Sequence, residues 1–156
     1  MTKYVELDRI DRKILMLLQA DARISNLELA ERVGLSATPC ARRVRMLEDK
    51  GVITGYTARI DLAKLGKGFF AFASVHLDSH APAVTEAFER RVLELPEILE
   101  AYTVTGSSEY VLKIATEDLH AYNNLQRQKL LTIPHVLTID SIFILHQVKR
   151  GTSVSL

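Results

Sequence analysis

Apolar residues recur at helical spacing from Ile10 through Ile14 to Leu17 and Leu18, and the pattern stops at Ala20-Asp21, with Asp8 placed to cap the start. A first helix is predicted. Ser25-Asn26-Leu27-Glu28 has the spacing of a capping box, in which a hydroxyl and a carboxylate each satisfy a free amide at a helix start. The second helix is therefore short: it is expected to bury Leu27, Leu29, Ala30 and Val33 and to stop at Gly34, which can turn left-handed. Ser36 then caps a third helix with Pro39 in its first turn. Only Gly34-Leu35-Ser36 separates the two, so the chain must turn sharply, as in a helix-turn-helix unit. On the third helix Cys40, Val44 and Leu47 form one apolar face, with Thr38, Arg42, Arg45 and Asp49 nearly opposite and Arg43 at the flank. The arginine side is expected to point outward.

Gly51 ends this helix, and Val52-Ile53 with Tyr56, Ala58 and Ile60 reads as an extended linking strand running to the Leu65-Gly66-Lys67-Gly68 boundary. From Phe69 the period changes. Phe69 to Leu77 is a strand by length and composition, and Pro82 opens a helix striped by Val84, Phe88, Val92 and Leu95. Ile98 to Thr105 and Tyr110 to Thr116 flank the tight Gly106-Ser107-Ser108-Glu109 link, a hairpin; Leu119, Tyr122, Leu130 and Ile133 place another helix, and Val136 to Val148 a last strand. The order β-α-β-β-α-β is that of a split βαβ sheet with both helices on one face. The first strand nevertheless carries Phe70 and Phe72 on one side and Ala71, Ala73, Val75 and Leu77 on the other. An apolar face without helices calls for a second cover, and self-association supplies one. The fold class expected is α+β. Residues 1–52 form a helix-turn-helix, winged-helix-like domain, 53–67 a linking strand and hinge, and 68–156 a ferredoxin-like βαββαβ domain.

Composition narrows the function. The chain has 156 residues, 47% hydrophobic and 25% charged, which fits one or two ordinary domains and excludes a large multidomain enzyme or a disordered chain. No apolar run approaches the ~20 residues of a membrane helix, and Met1 to Glu6 lacks the apolar stretch of a secretory signal, so a cytoplasmic protein is expected. The single cysteine, Cys40, lies on an apolar face and reads as a small buried hydrophobe. Net charge is +1, but residues 1–67 carry 13 Lys and Arg against 9 Asp and Glu, while 68–156 carry 7 against 10. A basic end on an acidic body points to an anionic partner for that end. Histidines 76, 80, 120, 135 and 146 show no metal-ligand spacing, and no nucleophile elbow, phosphate loop or dinucleotide fingerprint occurs. Neither catalysis nor a metal or other cofactor is expected. Glu86 and Glu89 read as a solvated helix face.

A helix with outward arginines can enter the major groove and offer guanidinium groups to phosphates and guanine edges. Arg42 and Arg45 are the candidate groove contacts, Ser36 and Thr38 stand near a phosphate at the helix start, and Arg43 suits either a phosphate or a structural ion pair. The Gly106 to Glu109 turn offers backbone amides, two hydroxyls and a carboxylate within a short arc.

Taken in order, Leu7-Asp8-x-x-Asp11-x-x-Ile14-Leu15, Ala22-Arg23, Leu35-Ser36-x-x-Pro39-x-x-x-Arg43-Val44-x-x-Leu47-Glu48-x-x-Gly51-Val52-Ile53 and Thr105-Gly106-x-x-Glu109-Tyr110 closely resemble the Lrp/AsnC, or feast/famine, transcription regulators over nearly the whole chain. The resemblance implies a DNA-binding N-terminal domain and a regulatory βαββαβ domain. It also implies dimers that assemble further, commonly to octamers, and control by a small effector, usually an amino acid. It places the effector at Thr105, Gly106, Ser107, Ser108 and Glu109, with Asp140 and Ser141 completing the site. Glu109 stands where the family typically has Asp. The function expected is a regulator that binds double-stranded DNA sequence-specifically under effector control; the alternative is an architectural DNA-binding protein without an effector site.

Overall fold

The computed structural model describes residues 4–149 and Gly151, and the chain divides into two compact units, one up to Arg59 and one over Ile60–Val148.

In the first unit three helices, α1 (Arg9–Ala20), α2 (Asn26–Val33) and α3 (Ala37–Asp49), close around Ile14, Leu15, Leu29, Ala30, Val33, Cys40 and Leu47. The full capping box is on α1. Asp8 accepts from the Asp11 amide at 2.8 Å, and the Asp11 carboxylate reaches back to the Asp8 amide at 3.4 Å. On α2 only half the expected box forms: the Ser25 hydroxyl accepts from the Glu28 amide at 3.2 Å, while Glu28 turns instead to Arg32, at 2.6 Å. Gly34 ends α2 with φ of 80°, a conformation that costs a side-chain-bearing residue energy. Leu27, expected in the core, is 72% exposed, because so short a helix can turn only one narrow face inward. Between Asp49 and Phe69 the described chain forms no strand, only a 3-10 turn at Ala63–Leu65. Val52 and Ile53 pack against the three-helix core instead. A strand needs a neighbour for its amides and carbonyls, and no strand among the described residues pairs with this segment.

The second unit runs β1 (Phe69–Leu77), α4 (Pro82–Leu93), β2 (Ile98–Thr103), β3 (Tyr110–Thr116), α5 (Leu119–Leu125) and β4 (Val136–Phe143). The strands form one antiparallel sheet in the order β2-β3-β1-β4, with Ala73 opposite both Leu112 and Ser141. Alternation sends Ala71, Ala73, Val75, Leu112 and Ile114 into a core closed by Phe88 and Val92 of α4 and Tyr122 and Leu125 of α5. Phe70, Phe72 and His76 stand on the opposite side of β1, as the alternation requires. α5 passes into a π-helical turn, Gln126–Leu130, and β4 ends at Phe143 rather than continuing to Val148.

Tyr110 is 4% exposed, and its hydroxyl donates to Glu89 Oε1 at 2.8 Å. Burial and this carboxylate push the phenol up to about 12. A phenol raised in the fold favours its neutral form, so its contribution is complete below the ordinary value near ~10 and lost as pH climbs through about 12. Alkaline unfolding followed by circular dichroism should therefore steepen in that window for the wild type and less so for Tyr110→Phe.

Candidate DNA-binding helix and effector turn

The hand of α3 divides its arginines. Cys40 and Leu47 are fully buried, which turns the opposite side to solvent. Arg42 and Arg45 lie there, exposed, with no hydrogen-bond or ion-pair partner among the described residues. Thr38 and Ser36 are exposed at the start of the same helix, and the Ser36 hydroxyl makes no capping bond.

Arg43 goes elsewhere. Its Nη1 donates to Asp8 Oδ2 and to Asp11 Oδ1, both at 2.7 Å, so one guanidinium joins α3 to the capping box of α1. Asp11 is 4% exposed, and a buried carboxylate of this kind needs such a partner. The Asp11 amide first, then Arg43, hold the Asp8 carboxyl below its usual range, and the two carboxylates hold the Arg43 guanidinium above its own. Two further contacts, not anticipated from the sequence, shape this unit. Asn26 Nδ2 donates to the Ala37 carbonyl at 2.9 Å, tying the first residues of α2 and α3 together. The Tyr56 hydroxyl donates to Glu48 at 2.8 Å, fastening the outgoing chain to the last turn of α3.

In the second unit the turn from β2 to β3 exposes Thr105, Gly106 and Ser107, with Ser108 and Glu109 half-buried. The Glu109 carboxylate folds back on β1. Its Oε2 accepts from the Leu77 amide at 2.8 Å, and Oε1 lies 3.7 Å from His80 Nδ1. Asp140 and Ser141, neighbours on β4, point to opposite faces of the sheet. Asp140 pairs with His76 at 2.9 Å, whereas the Ser141 hydroxyl lies 2.5 Å from that of Tyr122, with the Gln126 amide beside it. The two do not converge on one point. Thr103 and Tyr110, which bracket the turn, also line a hollow of about 310 Å³ with Phe88, Glu89, Val92, Leu93 and Ala101. Glu89 is thus more than part of a solvated face, since it receives the buried phenol. Its place four residues beyond Thr85 on the helix carries no signal of a strand partner 21 residues away.

Two family models match this chain, a winged helix-turn-helix DNA-binding domain over residues 7–54 and the Lrp/AsnC ligand binding domain over residues 70–154. The chain belongs to the Lrp/AsnC family of transcription regulators. It is 42% identical over 152 residues to the leucine-responsive regulatory protein of Rhizobium meliloti strain 1021, with 97% of each chain covered. It is 44% identical over 146 residues to the protein of that name from Escherichia coli K12, covering 94% of this chain and 89% of the other. Among solved structures it is similar to a transcriptional regulator from Neisseria meningitidis in complex with L-Met, with a TM-score of 0.92, 36% identity and 96% of each chain covered. Escherichia coli AsnC superposes with a TM-score of 0.88 at 27% identity, over 96% of this chain and 99% of the other. Among the described residues no helix of this regulator is long and apolar enough to cross a membrane, and no group of three or more His, Cys, Asp and Glu side chains could hold a metal ion.

Removing Arg43 should unfasten α3 from α1. Arg43→Ala is expected to lower the stability of the first unit by about 1–3 kcal/mol, the cost of leaving a buried carboxylate without its partner. A carboxyl depressed in the fold contributes stability above its ordinary value near ~4, lost as pH falls through the folded one. Denaturant unfolding at neutral and acid pH checks both: the acid loss should be shallower in Arg43→Ala than in the wild type.

Proposed function

We propose that this family member is a sequence-specific regulator that reads double-stranded DNA with Arg42 and Arg45 of α3, with Ser36 and Thr38 at a phosphate near the helix start. The observation that carries this reading is the division of the arginines: Arg43 is consumed by Asp8 and Asp11, while Arg42 and Arg45 stand exposed and unpaired among the described residues. Two unpaired guanidinium groups on one helix face suit phosphates and guanine edges. Arg43 acts here as a structural tie.

The second unit takes a small amino acid at the turn of Thr105, Gly106, Ser107, Ser108 and Glu109. Exposed amides and hydroxyls there suit its charged ends, and the neighbouring hollow with Phe88 and Val92 suits an apolar side chain. The relative crystallised with L-Met supports this ligand class. Asp140 lies on the sheet face away from the helices, where it serves the same site only across a second copy. The face bearing Phe70 and Phe72 pairs two chains into a dimer, and dimers assemble further, to octamers in this reading, so that paired helices raise the effective concentration of each other's contacts. The protein works in the cytoplasm and by binding rather than catalysis. One observation favours the alternative, an architectural DNA-binding protein without an effector: the Glu109 carboxylate is already engaged by Leu77.

Electrophoretic shift assays at two salt concentrations, with and without each amino acid, test the proposal. Affinity should fall with log salt at roughly −0.9 per phosphate neutralised. Arg42→Ala should weaken binding roughly five- to hundredfold, the worth of a bidentate base contact, without changing oligomer size or stability. At least one apolar amino acid should shift affinity or assembly size. Silence to all of them favours the architectural reading, and salt-independent binding contradicts DNA recognition altogether.

A further inference from the structure

The exposed ridge of α3 contains one residue that the arginine argument leaves unused. Thr38, Ala41, Arg42 and Arg45 lie within an arc of about 100° on the helix and along about 10.5 Å of its axis, close to three base-pair steps. Together with Asn26 and Ala37 they line an open groove of about 370 Å³. Its walls differ in chemistry. Asn26 closes one side, held by its bond to the Ala37 carbonyl, and the Arg42 and Arg45 guanidiniums stand on the ridge without a partner among the described residues. Ala41 is exposed and carries no side-chain polar atom. Of the four ridge residues, Thr38 offers a hydroxyl and the arginines offer charge, so Ala41 is the one purely apolar point.

The major groove presents one purely apolar group, the C5 methyl of thymine. We infer that Ala41 is a specificity-determining residue of this regulator, packing against a thymine methyl beside the base read by Arg42. Asn26 acts as a positioning residue: by fixing the start of α2 against the start of α3 it sets the width of the slot over Ala41. The inference rests on the proposal that α3 enters the major groove. It adds that the preferred half-site contains one thymine whose methyl is read, at a fixed offset from a guanine.

The test uses the full-length protein. Selection from a random duplex library gives a bound site, and each thymine of that site is then replaced singly by deoxyuridine, which removes only the methyl. One thymine per half-site should lose about fourfold in affinity on this replacement, the value of burying one methyl group, and the others should be silent. In Ala41→Gly, and in Ala41→Ser, which keeps the helix better, the sensitive thymine should become indifferent to the replacement while the salt dependence of binding stays unchanged. Asn26→Ala should reduce the uracil effect without abolishing binding. A wild-type protein indifferent to every replacement, or a sensitive thymine that stays equally sensitive in both Ala41 variants, overturns the inference while leaving DNA binding in place. Failure of the selection to enrich any sequence overturns sequence-specific reading itself, and the inference with it.

Discussion

One guanidinium organises the first unit. Arg43 is shared by Asp8, which caps α1, and Asp11, which is buried in its first turn, so the same two carboxylates start one helix and orient another. The arrangement fixes the rotation of α3 about its own axis. Cys40 and Leu47 settle inward as apolar residues must, and the double ion pair locks the flank between the inner and outer faces. Arg42 and Arg45 then have nowhere to go but outward. Their exposure follows from what their neighbour does, and it is the property on which the proposed reading of DNA rests.

The second unit solves a different problem. Its sheet buries one face under α4 and α5 and carries Phe70 and Phe72 on the other. The turn at Gly106 is held at its far end by the Glu109 carboxylate on the Leu77 amide, and at its near end by the Val104 amide on the Glu109 carbonyl at 3.0 Å. A turn fastened at both ends exposes its middle residues in a defined shape. That suits a small ligand with charged ends better than a loose loop would, because less freedom is lost on binding. The same fastening turns Glu109 from a free acceptor into a support for the turn.

Much of this was legible in the chain. The bounds of β1 and β3, the start of α3 after Ser36 and the left-handed Gly34 follow from local rules of capping, period and turn, and local rules need only neighbouring residues. What escaped depends on contacts far apart in sequence. Arg43 reads equally well as a phosphate ligand or an internal tie until Asp8 and Asp11, 35 and 32 residues away, are brought beside it. Glu89 looks solvated until Tyr110 arrives from the sheet. Asp140 and Ser141 look like one polar pair in sequence, but strand geometry sends them to opposite faces. The segment from Val52 to Ile60 has the alternation of a strand without the partner that a strand requires, so its pattern predicted more order than a single chain can supply. Leu27 failed for a simpler reason, since eight residues of helix cannot turn every leucine inward.

In the proposed division of roles Arg43 serves the protein while Arg42 and Arg45 serve the duplex. Arginine-specific modification by phenylglyoxal, quantified residue by residue by mass spectrometry with and without bound DNA, tests it directly on the unaltered chain. Arg42 and Arg45 are expected to react quickly in the free protein and to be protected in the complex, with Arg43 slow in both. Rapid reaction of Arg43 in the free protein, abolished by DNA while Arg42 and Arg45 remain unaffected, would contradict it.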